Sequence, residues 1–118
     1  MWVKRMDRGG RQRVTDAIFR GEVQRQPVVG GEVSTQLYLG EITFKDGGAN
    51  KWHMHTSDQI LVITEGEGIV ADEGEERAAS AGDVAFIPAN TKHWHGARPG
   101  RDMTHLSILA GGTTTVLE

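Results

Sequence analysis

From Gly30 onward, turn-forming clusters interrupt the chain at short and nearly even intervals. They are Gly30-Gly31, Asp46-Gly47-Gly48, Glu65-Gly66-Glu67-Gly68, Asp72-Glu73-Gly74, Ala81-Gly82, Pro88-Ala89-Asn90, Pro99-Gly100 and Gly111-Gly112. A spacing of about eight to ten residues leaves room for strands and little room for helices. The 16 glycines against 3 prolines supply these turns. Between the turns lie strand-like runs. Gln59–Thr64 is continuous and β-branched, as a strand buried on both faces would be. Ser34–Phe44, Asp83–Ile87 and Thr104–Ala110 read as further strands, and Ile18–Arg25 as one extra strand. No stretch keeps a 3.6-residue apolar period. The expectation is an all-β chain: a small antiparallel barrel or jelly roll over 30–112, an extended N-terminal arm over 1–29, and a tail over 113–118.

With 118 residues the chain suits a single domain. It lacks cysteine, which excludes a disulfide scaffold and a thiolate zinc site. No run approaches the ~20 apolar residues of a bilayer span, so no membrane partner is expected. A net charge of -3 argues against a nucleic-acid partner. The charge is uneven. Residues 1–25 carry seven basic and three acidic side chains, and the remainder six basic and thirteen acidic. The basic arm is read as solvated or packed on acidic neighbours. No apolar stretch follows its charges, so no signal peptide is read, and a cytoplasmic location is expected.

The five histidines are clustered: His53-Met54-His55, His93-Trp94-His95, and His105. On a helix, residues two apart point about 200° apart and cannot share one ion. On a strand they share a face about 7 Å apart at Cα, and their imidazoles can converge on one metal. His53, His55 and His93 are therefore candidate ligands. Gln59 offers a neutral carbonyl oxygen as a fourth. His95 and His105 are candidates for proton transfer, since an unperturbed histidine titrates near pH 6.5.

These residues resemble the cupin family. Its first motif matches Gly47, five residues, His53-Met54-His55, three residues, Gln59, six residues and Gly66, with Gln where most members have Glu. Its second matches Gly82, five residues, Pro88, Asn90 in place of Gly, and His93, with Ala97 in place of the final Asn. The chain is more narrowly similar to small bacterial cupins that include manganese-dependent hydroxynitrile lyases. That resemblance implies a metal held by His53, His55, Gln59 and His93, with His105 active in the pocket. It also implies that Gly40 and Ile42 shape the cavity, and Phe44, Leu61 and Ile63 are expected to line it too. The expected cofactor is one divalent transition metal, Mn favoured, with Fe, Ni, Zn or Cu as alternatives. Four neutral ligands would leave its full charge to act on a bound oxygen.

The function expected is a small-molecule lyase or isomerase. The alternatives are a quercetinase-type dioxygenase and a non-catalytic metal- or ligand-binding cupin. If the histidine pairs face inward, Trp52, Met54 and Trp94 face outward and need cover. A homodimer is the expected source of that cover.

Overall fold

A computed structural model describes residues 1–118. It contains ten strands: β1 Gln12–Val14, β2 Phe19–Val29, β3 Leu37–Asn50, β4 His53–His55, β5 Gln59–Asp72, β6 Glu76–Ser80, β7 Val84–Ile87, β8 His93–Ala97, β9 Met103–Ala110 and β10 Thr114–Val116. One 3₁₀ turn at Arg8–Gly10 is the sole helical element, and no helix is long and apolar enough to cross a membrane. All pairings are antiparallel, in the order β1-β2-β3-β9-β5-β8-β4-β10, with β6 and β7 both paired to β5.

Two long strands close the sheet into a barrel. The first half of β5 pairs with β7 and β9, and its second half with β6 and β8. β3 likewise pairs with β9 over Leu37–Phe44 and meets β8 where Ala49 faces Gly96. The bends lie at Asp46 and Gly47 (φ 46° and 77°) and at Gly66 (φ 74°), beside the register shift between Ile63 and Glu65. The structure thus corrects the reading of two turn signals. Asp46-Gly47-Gly48 and Glu65-Gly66-Glu67-Gly68 do not separate strands; they bend one strand from one side of the barrel to the other. Glycine is favoured at a positive φ and at a bulge, which a sequence pattern cannot tell from a turn.

Alternation along the strands decides what fills the interior. Val23, Ile42, Phe44, Leu61, Ile63, Ala79, Ile87, Ala97 and Met103 form one buried cluster. Val23 comes from β2, within residues 1–29, and pairs with Phe44. The arm packs on acidic neighbours. Arg11 donates to Glu41 at 2.8 Å and also pairs with Glu65, as does Arg8. Gln26 Nε2 donates to the Asp7 carbonyl oxygen and to Glu41.

Trp52, Met54 and Trp94 are half-buried rather than bare. The segment after residue 112 supplies local cover, since β10 pairs with β4 and the Leu117 N–H donates to the Trp52 carbonyl oxygen. The larger exposed apolar surface lies elsewhere, on the outer face of β5, β7 and β9. There Phe86 and Val84 are 61% and 65% exposed and stand opposite Ile60 and Val62.

Candidate metal centre

β4 and β8 run antiparallel with His53 opposite His93. In both strands alternate residues point inward, so His53, His55, His93 and His95 are buried while Met54 and Trp94 face away. The ring centroids are 4.2 Å apart for His53 and His93, 4.9 Å for His53 and His55, and 5.5 Å for His55 and His93. One nitrogen from each of the three lies within 4.8 Å of the others.

The hydrogen bonds fix which nitrogen each ring presents. His53 Nδ1 donates to the Lys51 carbonyl oxygen at 2.7 Å, and His93 Nδ1 to the Thr91 carbonyl oxygen at 2.8 Å. A carbonyl only accepts, so the proton sits on Nδ1 and each neutral ring keeps a lone pair on Nε2. His55 Nδ1 bonds the Thr114 hydroxyl at 2.8 Å, and its buried Nε2 has no hydrogen-bond partner. Backbone and hydroxyl partners of this kind orient ligating imidazoles.

Gln59 opens β5 inside the same space. Its Nε2 donates to Ser107 Oγ at 2.9 Å, which leaves Oε1 only 3.3 Å from His93 Nε2. Neither atom carries a proton to give the other. Two acceptors so close, beside the unpartnered Nε2 of His55, fit a shared cation. The donor set passes a chemical test as well: three imidazoles and an amide oxygen suit first-row divalent metals.

Burial sets the charge state. It pushes His53 down to about 3, with the neighbouring His93 adding to the shift, and His55 down to about 4. His93 is lowered by burial too. His95 is driven well below the usual histidine range, again by burial first and then by its histidine neighbours. All are neutral at pH 7, with lone pairs available to a cation.

His95 and His105 form a second feature beside the first. His105, on β9, is fully buried and stands opposite Ile42 and Ile63. Its Nε2 lies 3.0 Å from His95 Nδ1. The His95 ring is 5.6 Å from those of both His53 and His93 and 4.8 Å from His105, so it stands between the triad and His105. Burial takes His105 down to about 4, away from the neutral range its residue type suggests.

Ile42, Phe44, Leu61 and Ile63 sit in the packed core, where the Phe44 ring touches both His95 and His105. Gly40 is buried on β3 opposite Ser107. None of the five lines the cavity of about 520 Å³ that reaches His93; Val70, Ala79, Ala85, Ile87 and Pro88 do. The Ile42, Phe44, Leu61 and Ile63 side chains point into close packing, and this cavity lies against β6 and β7.

Sequence reasoning missed three polar residues at the centre, of which Ser107 holds Gln59. Thr114 orients His55 from β10. Asn50 accepts the His95 backbone N–H at 2.8 Å through Oδ1 and holds its Nδ2 against the His95 ring.

The fold and the histidine triad together define a β-barrel with a site capable of binding one metal. Residues 40–109 match the Cupin domain family, and the chain belongs to it. It is 35% identical over 91 residues to (R)-mandelonitrile lyase from Granulicella tundricola, covering 76% of this chain and 70% of that one. It is 30% identical over 79 residues to gentisate 1,2-dioxygenase from a Ralstonia species, covering 66% of this chain but only 22% of that enzyme. A cupin-like protein from Thermotoga maritima superposes with a TM-score of 0.84 at 30% identity, over 89% of this chain and 83% of the other.

Proposed function

We propose that the protein is a metal-dependent lyase that cleaves small cyanohydrins. His53, His55, His93 and Gln59 are its metal ligands, Mn is the favoured ion, and His105 with His95 is the acid/base pair. The observation that carries this reading is the buried His95–His105 couple at 3.0 Å, set against three histidines whose Nε2 atoms are free to bind. The likeness to (R)-mandelonitrile lyase supplies the substrate class.

A divalent cation, when bound, supplies Lewis acidity toward a substrate oxygen. His53, His55, His93 and Gln59 hold it through four neutral atoms. The cavity that reaches His93 is the route by which substrate would approach the metal, and its lining mixes apolar side chains with Asp72, Glu75, Arg77 and Asp83. The Ile42 and Ile63 side chains flank His105 and keep water from it. The histidine pair takes the hydroxyl proton of the cyanohydrin. The bond between the carbinol and cyanide carbons breaks, and the pair returns the proton to the cyanide. The products are a carbonyl compound and hydrogen cyanide.

The test is protein purified without added metal, analysed by plasma mass spectrometry and assayed for mandelonitrile cleavage. About one equivalent of metal per chain is expected. His105→Ala should keep the metal and lose turnover by on the order of 10²-fold or more. Metal lost with His105 would make that residue a ligand, and failure to take up any metal would sink the reading. A second reading, oxygen-dependent cleavage, is favoured by the similarity to gentisate 1,2-dioxygenase. Oxygen uptake with gentisate or a flavonol, and none with a cyanohydrin, would establish it.

The same reading includes a homodimer formed through the outer face of β5, β7 and β9. Arg8 and Arg11 tie the arm to Glu65 and Glu41 beside this face. Residues 1–6 reach about 20 Å when extended, enough to cross four strands of a neighbouring copy at about 4.8 Å each. They carry the exposed Met1, Trp2 and Val3.

A further inference from the structure

The candidate ligands are not all held in the same way. His53 and His93 each give their Nδ1 proton to a carbonyl two residues earlier in the chain, and Gln59 is held by Ser107 from inside the barrel. His55 depends instead on Thr114, a residue of β10. β10 is the last strand in the sheet order and pairs with β4 alone. Thr114, Thr115, Val116 and Leu117 are all exposed, so no buried apolar side chain holds the segment down. An element with few buried contacts opens at a low free energy while the rest of the molecule stays folded.

What docks this segment, besides its ladder with β4, is polar and lies at its two ends. At one end the Thr113 N–H donates to Thr56 Oγ1 at 2.9 Å, and the Thr56 N–H donates to the Thr113 carbonyl oxygen at 3.0 Å. At the other, the Leu117 N–H donates to the Trp52 carbonyl oxygen at 2.8 Å, and the Trp52 N–H donates to Glu118 Oε2 at 2.6 Å. Oε1 of the same carboxylate pairs with Arg20 on β2, so Glu118 ties the segment to a second strand. Hydrogen bonds to an ionised group are about twice as strong as neutral ones. Glu118 supplies both such contacts here.

We infer that residues 113–118 are a strap that governs metal exchange, and that Glu118 is the positioning residue that keeps it docked. While the strap is docked, Thr114 fixes the His55 ring and Nε2 stays turned toward the other ligands. When it lifts, Nδ1 loses its partner, the ring is free to rotate, and one ligand lets go. Metal release therefore passes through the lifted strap, and by microscopic reversibility so does uptake. The inference rests on the metal-binding part of the proposed function and not on the chemistry assigned to it.

The test uses full-length protein and Zn(II). Release is followed by stopped flow into excess chelator, and uptake by mixing metal-free protein with Zn(II). Glu118→Ala should speed both by on the order of 10-fold, with Kd held within about threefold of wild type. Lys45→Ala, which removes an exposed ion pair to Asp102 away from the strap, should change neither rate. Hydrogen exchange of the Zn(II)-loaded protein supplies a second readout. In Glu118→Ala the Leu117 N–H should exchange faster by the same factor as metal release, while the Gly111 N–H, bound to the Gln36 carbonyl oxygen, should not. Unchanged metal rates would overturn the inference, and unchanged exchange at Leu117 would show that Glu118 does not dock the strap. A weaker Kd with an unchanged uptake rate would also overturn it, since the strap would then only orient His55. Protein that takes up no Zn(II) would remove the metal reading and the strap's role with it. Protein that exchanges Zn(II) as expected but cleaves no cyanohydrin would remove the lyase reading alone.

Discussion

Thr114 shows how much a single hydroxyl can decide. It lies in β10, far along the chain from His55, yet its Oγ1 is the partner of His55 Nδ1. Without that partner the His55 ring is free to rotate, and its Nε2 no longer stays aimed at the other two. Thr114→Val keeps the β-branched shape and removes only the hydroxyl. Metal affinity should weaken by about 10- to 100-fold, read by competition with a chelator, while the thermal midpoint of the metal-free protein stays near wild type. An unchanged affinity would mean that packing alone orients His55. The convergence of the histidines was legible in the sequence, because strand parity is local: a spacing of two puts His53 with His55, and His93 with His95, on one face. Thr114 and Asn50 were not legible. Each meets its histidine through register between strands distant in sequence, and the break at Lys51-Trp52 spoils any parity count from Asn50 to His53.

At the scale of elements, the barrel depends on β3 and β5 bending without ending. Gly66 marks the bend in β5. Its φ is 74°, and a Cβ there would lie 2.0 Å from the Asp102 carbonyl oxygen. Neither the conformation nor the space admits a side chain, and the obstacle is backbone that cannot swing aside. Gly66→Ala should cost on the order of 3 kcal/mol and lower the thermal midpoint by roughly 10–20 °C. Gly31→Ala is the control, since nothing stands within 4 Å of a Cβ there and its φ is not positive. A midpoint for Gly66→Ala equal to that of Gly31→Ala would mean that the bend is not rigid. Gly96 is as constrained in another way: a Cβ would meet the Ala49 Cβ at 2.4 Å, where β3 and β8 close the barrel. The sequence announced that glycines mattered here. It did not distinguish a bend from a turn, because both ask for the same residue, and only pairing on both sides of the bend tells them apart.

Across the whole molecule, five of the 26 buried residues are histidines, and this sets its response to acid. Each buried histidine has a folded pKa below that of the unfolded chain. Between the two values the unfolded chain binds more protons, so stability is full above about pH 6.5 and falls as the pH drops toward 4. His105, pushed down to about 4 by burial, contributes on the order of 3 kcal/mol across that window. The metal-free protein should therefore lose thermal stability steeply between pH 6.5 and 4 in calorimetry; a flat profile would mean that water reaches the cluster.

The outer face makes a separate demand. Phe86, Ile60, Ile108 and Leu39 stand side by side across β7, β5, β9 and β3, with Val84, Val62 and Leu106 in the next row. Water contact along such a row is unfavourable at about 25 cal/mol per Å² of apolar surface, and a copy of the chain offers a matching surface together with the arm anchored beside it. Light scattering after size exclusion should return twice the 12.9 kDa of one chain. Val84→Glu with Phe86→Lys alters two exposed side chains, so the fold should survive while the dimer separates. A wild-type mass of one chain would remove the dimer, and a dimer that persists in the double variant would move the interface to another face.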